Sequence, residues 1–221
     1  MTEPDFLRST RTYYDTVAAD YGEKFRGGPP NKTLDRAVLG AFAELVREAG
    51  LGPVAELGSG PGEVTAHLAS LGLDVFGIDL SPEMVALARK EHPDLRFEQG
   101  SMTDLRSRPG LELEDGSLGG VAAVYSIIHI PDERLPELFA GFHRVLAPGG
   151  RLLLVFFTGD EKINRTEAFG RAVSVDYWLR PAERVLDALG RAGFAVQAQL
   201  LREPDRDEQI PRAMVLAYKP S

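Results

Sequence analysis

Apolar positions along the chain follow a helical rhythm at first and then break into short runs. Residues 6–25 place Tyr13, Tyr14, Val17, Ala18, Tyr21 and Phe25 at intervals of three and four, which predicts an amphipathic helix. Gly27-Gly28-Pro29-Pro30 interrupts it. Residues 1–30 therefore read as an appended helical arm or lid, or as a helix that simply packs on the core, and 31–221 as the main domain. A second helix is expected over 33–49, with Leu34, Ala37, Val38, Ala41, Phe42 and Leu45 on one face and Gly50 at its end. The rhythm then changes. Short apolar segments at 54–57, 74–79, 95–99, 121–126 and 151–157 predict strands, with helices expected between them at 63–71, 82–91 and 132–146. Ser81-Pro82-Glu83 supplies a capping serine, a first-turn proline and an acid at one of those helix starts.

The stretch 107–120 is rich in glycine, proline and charge and reads as a surface loop. Residues 158–170 are polar and are expected to form a loop or short helix near the site. Val173, Val175, Tyr177 and Leu179 alternate, which predicts a short extended segment. A helix over 181–191 and strands at 194–201 and 212–218 complete the chain. No helix separates the last two strands, so they must pair as an antiparallel hairpin. The whole pattern predicts an α/β fold with a doubly wound, mostly parallel sheet.

Composition narrows the function. The 221 residues suit one α/β domain with a small appendage, and a 43% hydrophobic share is ample for its core. A formal net charge of −8 argues against a nucleic-acid partner and suits an enzyme of small molecules. There is no cysteine, which removes disulfides, thiolate metal sites and cysteine nucleophiles together. The histidines His67, His92 and His143 have no metal-ligand spacing, and no metal is expected. The acidic N-terminus has no secretory pattern, and the apolar runs are too short to span a bilayer. A cytoplasmic protein, monomeric or homodimeric, is the expectation.

The chemistry concentrates at Val54-Ala55-Glu56-Leu57-Gly58-Ser59-Gly60-Pro61-Gly62, a strand that runs into a glycine-rich turn and then a helix. Such a turn lets a ligand approach the backbone, and the helix behind it offers free N–H groups. Asp79 ends the next strand about 20 residues on, the spacing of a ribose-binding carboxylate. A dinucleotide would bring a doubly negative pyrophosphate. Here Glu63 stands where the third small residue of its fingerprint belongs, no basic residue lies in the turn, and Glu56, Glu63 and Asp79 surround it. That charge suits S-adenosylmethionine, whose sulfonium and ammonium are cationic. A glycine turn can also be only a turn.

The motif resembles the glycine motif of class I S-adenosylmethionine-dependent methyltransferases. The resemblance continues through Gly77-Ile78-Asp79-Leu80-Ser81-Pro82-Glu83-Met84, through 97–105 and 145–152, and into the final strands. It implies a seven-stranded Rossmann-like sheet with an antiparallel last strand, S-adenosylmethionine as cofactor, and methyl transfer to an oxygen or nitrogen nucleophile of a small molecule. By position it implies that Gly58 and Gly60 lie against the methionine part, that Glu56 holds the amino group, and that Asp79 accepts the ribose hydroxyls. Leu80 would pack on the adenine, Met102 would meet its edge, and Ser126, at the end of the fourth strand, would lie near the methionine backbone. Tyr14-Asp15 through Tyr21 resembles an N-terminal lid segment of small-molecule members, which implies that Tyr14 helps to hold the cofactor and that Tyr21 reaches its amino-acid end. Ser101 departs from the acid that many relatives use against the adenine amino group.

His129 follows the fourth strand on the carboxyl edge of the sheet, where open α/β sheets bind ligands, and is the candidate base. It can equally be a histidine that shapes the pocket or bonds a backbone carbonyl. Tyr13, Tyr14, His129, Phe157, Arg165, Tyr177 and Trp178 are the candidates to face a substrate; Arg165 can pair with a substrate anion or be merely solvated. Ser126-Ile127-Ile128-His129 is not the motif of amino-directed DNA methyltransferases. Two other readings compete: a non-catalytic cofactor-binding scaffold of the same fold, and an NAD-dependent oxidoreductase.

Overall fold

The computed structural model describes residues 3–105, 113–205 and 208–221. Strands β1 (Val54–Leu57), β2 (Val75–Asp79), β3 (Arg96–Gln99), β4 (Leu118–Val124), β5 (Leu146–Phe157), β8 (Ala195–Arg202) and β9 (Arg212–Tyr218) form one sheet in the order β3-β2-β1-β4-β5-β9-β8. β9 is antiparallel to both its neighbours and β1–β5 are parallel, as expected of this pattern. β1, β2 and β4 are buried along their whole length, which explains why their sequences are apolar apart from Glu56 in β1 and Asp79 at the end of β2.

Helices α2 (Thr33–Ala49) and α3 (Glu63–Ser70) cover one face, where Leu39, Phe42 and Leu68 pack on Val54, Val75 and Leu153. On the other face α5 (Leu135–Val145) and α6 (Ala182–Arg191) bury Phe139, Phe142, Val185 and Leu189 against Leu57, Val121 and Phe156. α4 (Pro82–Glu91) lies over β2 and β3, with Ser81 accepting from the Met84 amide at its start. α1 (Asp5–Lys24) is followed by a 3₁₀ turn at Pro29–Asn31.

Three expectations need correction. The fourth strand begins at Leu118, inside the segment read as a loop, and ends at Val124 rather than Ser126. Tyr125 takes a positive φ of 55° and turns the chain, leaving Ser126 two residues past the strand. The rest of that loop reading, 106–112, lies outside the described residues. The segment 158–170 is neither loop nor helix. Its core is a strand, β6 (Glu161–Ala168), paired antiparallel with β7 (Arg171–Leu179) as a separate two-stranded sheet. β6 is polar because seven of its eight residues are exposed, so burial put no apolar alternation into its sequence. The turn between the strands has positive φ at Phe169 and Gly170, the pattern of a two-residue hairpin, with a phenylalanine in the place usually held by asparagine or glycine.

The hairpin is closed at its base. A Cβ on Gly159 would stand 2.9 Å from the Cβ of Leu179, and Thr158 and Pro181 line one surface cleft. α1 packs on the hairpin through Tyr13 and Val17 against Ala168 of β6 and Val175 of β7, and also on α4. The helix read as an arm thus has a partner for its apolar face.

Candidate active site

The glycine turn is shaped by contacts that tolerate no side chain. Gly58, Gly60 and Gly62 all have positive φ. A Cβ on Gly58 would lie 2.4 Å from that of Ser126, and one on Gly62 would lie 2.7 Å from the Phe97 ring. Gly60 faces open space, so its constraint is conformational only. The turn is clamped to β2. Asp79 accepts from the Gly60 amide at 2.7 Å through one oxygen and from the Ser81 amide at 2.9 Å through the other. Burial pushes the Asp79 carboxyl up to about 6, against the lowering effect of those amides. Glu56 is 2% exposed and accepts from the Thr65 hydroxyl of α3. Burial pushes it up to about 8. Neither acid has a cationic partner in any ion pair formed among the described residues. Two buried acids without cations are costly, and they flank a turn with room above Gly60.

Around the turn, Ser126 donates to the Leu57 carbonyl at 2.7 Å and fixes the chain after β4 to the end of β1. The Met102 methyl lies 3.2 Å from where a Cβ on Gly58 would stand. Ser101 is buried, and its hydroxyl is within 2.8 Å of that of Thr103. The Leu80 carbonyl accepts from Gln99. Tyr21 is beside Asp79, whose charge adds to the burial that pushes its hydroxyl up.

The second half of the site is aromatic. His129 is 5% exposed, on the 3₁₀ turn Ile127–His129. Its Nδ1 lies 3.0 Å from the Asp176 carbonyl, which can only accept, so Nδ1 carries the proton. Nε2 then presents a lone pair, and the Tyr14 hydroxyl donates to it at 2.8 Å. Burial pushes His129 down to about 4, keeping the ring neutral at ordinary pH. That makes it a hydrogen-bond acceptor and a weak base. From here a continuous row of rings runs both ways. Tyr177 and Phe157 follow at centroid distances of 4.9 and 6.3 Å on one side, ending at Tyr125; Tyr14 and Tyr21 follow at 5.4 and 5.6 Å on the other, ending at Phe25. Trp178 does not join the row: its cross-strand partner Lys162 lies over it on the other face of the hairpin.

Two residues that organise this half escaped the sequence reading. Arg180 is fully buried and donates to the carbonyls of Ile127 and Ile130, which bracket His129, and to Asp132 at 2.7 Å. Asp15, next to Tyr14, accepts from the Ser81 hydroxyl beside Asp79. One turn of α1 therefore touches both halves. An arginine just before a helix carries no local sign of burial; its three acceptors are 48 to 53 residues away. Among the described residues no group of three or more His, Asp or Glu side chains could hold a metal ion, and no helix is long and apolar enough to cross a membrane.

Comparison with known proteins places the same region at the centre. Residues 54–150 match a family described as a methyltransferase domain. The demethylmenaquinone methyltransferase of Chlorobaculum parvum is 35% identical over 161 residues, 72% of this chain and 60% of that protein. Its counterpart from Chlorobaculum tepidum is 27% identical over the same shares, so the chain spans 60% of the length of these curated relatives. Among solved structures, DhpI in complex with SAH is 25% identical with a TM-score of 0.70 over all of both chains. The fold is shared by the SAM-bound magnesium protoporphyrin IX methyltransferase of Synechocystis PCC 6803, at 17% identity and a TM-score of 0.68 over 99% of both chains.

Proposed function

We propose that this chain, which belongs to the class I S-adenosylmethionine-dependent methyltransferase superfamily, binds S-adenosylmethionine over the glycine turn and directs its methyl group to an oxygen or nitrogen nucleophile of a small molecule. The observation that carries the reading is the pair of buried acids without cations, Glu56 and Asp79, on either side of Gly58 and Gly60. Such a pocket repels a pyrophosphate and attracts a ligand with a sulfonium and an ammonium. The relatives named as methyltransferases and the solved structures with SAH or SAM support the same choice.

In this reading Asp79 accepts the ribose hydroxyls and Glu56 faces the ammonium. Leu80, Ser101 and Met102 surround the adenine. Tyr14, Tyr21 and Ser126 close the amino-acid end. When bound, the sulfonium supplies an already activated methyl carbon and a neutral leaving group. The protein contributes alignment and exclusion of water. α1 covers the site, held by Asp15 on Ser81 and Tyr14 on His129. His129 takes the proton of an incoming nucleophile only as a hydrogen bond, in the place the Tyr14 hydroxyl now holds. Calorimetry with S-adenosylhomocysteine tests the cofactor site directly. Micromolar binding that weakens roughly thirtyfold in Asp79→Ala is expected; binding indifferent to that change would remove the assignment.

A further inference from the structure

The hairpin strands and the turn between them carry three cations, and two of them are already paired. Lys162 lies 3.2 Å from Asp176, and Arg171 lies 2.7 Å from Asp20. Arg165 has no carboxylate partner among the described residues; its guanidinium sits 5.6 Å over the Tyr177 ring. Register fixes the direction in which it points. Arg165 is opposite Val175, and Ile163 is opposite Tyr177. Directly opposed residues share a face of a sheet, and Val175 is buried against Tyr13 and Val17 of α1. Arg165 is thus on the face turned towards α1 and the ring row, while Lys162, Asn164, Asp176 and Trp178 share the other.

Tyr177 links this cation to the reacting end. Its ring is 4.9 Å from His129, and its hydroxyl donates to Tyr13 at 3.5 Å. The row therefore offers, in sequence, a neutral hydrogen-bond acceptor once the Tyr14 hydroxyl gives way, flat apolar walls and an unpaired guanidinium. A guanidinium over a ring keeps its edge free for a planar anion.

We infer that the methyl acceptor is a small aromatic acid, its hydroxyl at His129, its ring along Tyr177 and its carboxylate on Arg165. The inference rests on the proposed methyltransferase reading. In the transfer, the acceptor oxygen forms a bond to the methyl carbon as the carbon–sulfur bond breaks, the thioether leaves with that electron pair, and the hydroxyl proton passes to solvent. The carboxylate stays intact as a handle.

The test is calorimetry on the full chain, with and without S-adenosylhomocysteine, using two acids and their amides: 4-hydroxybenzoate and 4-hydroxyphenylacetate, each against the uncharged counterpart. At least one acid should bind roughly tenfold more tightly than its amide, as expected for a charged hydrogen-bonded pair. Arg165→Ala should abolish that preference and leave S-adenosylhomocysteine affinity unchanged; Arg165→Lys should keep part of it. Equal binding of acid and amide, no binding of any of the four, or a preference that survives Arg165→Ala would overturn the inference. Failure of S-adenosylhomocysteine alone to bind would instead strike the cofactor reading.

Discussion

The two halves of the site are built by different means. The glycine turn is made by neighbours in sequence and by backbone: three glycines, the end of β1, the end of β2, and one carboxylate that holds two amides. The aromatic half is made by side chains from distant parts of the chain. Tyr14 and His129 are 115 residues apart, and His129 and Asp176 are 47 apart. The first half is fixed to the ends of two sheet strands. The second is assembled from three elements that each leave the sheet, so its shape depends on how they are tied together.

Arg180→Met should show the largest effect, because it removes three hydrogen bonds at once: the Ile130 carbonyl loses its guanidinium donor, the Ile127 carbonyl keeps only the Ile130 amide, and Asp132 keeps only Arg184. A loss of about 3 kcal/mol or more in denaturant unfolding is expected, with S-adenosylhomocysteine affinity of the folded fraction nearly intact. A comparable loss of cofactor affinity would show that the two halves are not separable. Asp79→Ala should do the reverse, weakening cofactor binding by ~2 kcal/mol while leaving the His129 ring resonances in NMR unmoved.

The third effect is one of pH. Glu56 is pushed from 4.5 up to about 8 in the folded protein. Its protonated form is therefore favoured by folding; the ligand-free fold is relatively most stable below about 4.5 and loses this contribution as pH rises through 8. A bound cation favours the carboxylate instead. Affinity should then rise roughly tenfold between pH 6 and pH 7 and level off above 8. Calorimetry in buffers of different ionisation enthalpy should detect a released proton at neutral pH, and Glu56→Gln should abolish it. Flat affinity across this range would show that Glu56 does not meet the cation. Smallest is Tyr14→Phe, expected to cost about 1 kcal/mol of stability. It should also free Nε2 of His129, which an NMR titration of the imidazole would register.

The same contrast explains what could be read from sequence. β1, β2 and β4 are buried on both sides, so their composition announces them, and the glycine turn and Asp79 lie within 22 residues of each other along the chain. The antiparallel end of the sheet followed from the missing helix between β8 and β9. β6 was hidden because it buries one residue in eight. Arg180 and Asp15 were hidden because nothing near them in sequence reveals their acceptor or donor. The turn after β4 was hidden because a tyrosine takes a backbone conformation that tyrosine rarely adopts. His129 could be placed on the correct edge of the sheet, but its low basicity comes from burial under α1 and β7, which is a long-range property.

The closed base of the hairpin has one more consequence. The chain leaves β5 at Thr158 and returns at Pro181 within one cleft, and Gly159 touches Leu179. The 22 residues between carry a two-stranded sheet separate from the seven-stranded one, and Arg180 at their end ties them to the turn after β4. In the proposed reading the acceptor is therefore chosen by this hairpin and the facing side of α1 while the glycine turn is left alone, as a lock is rekeyed without replacing the door.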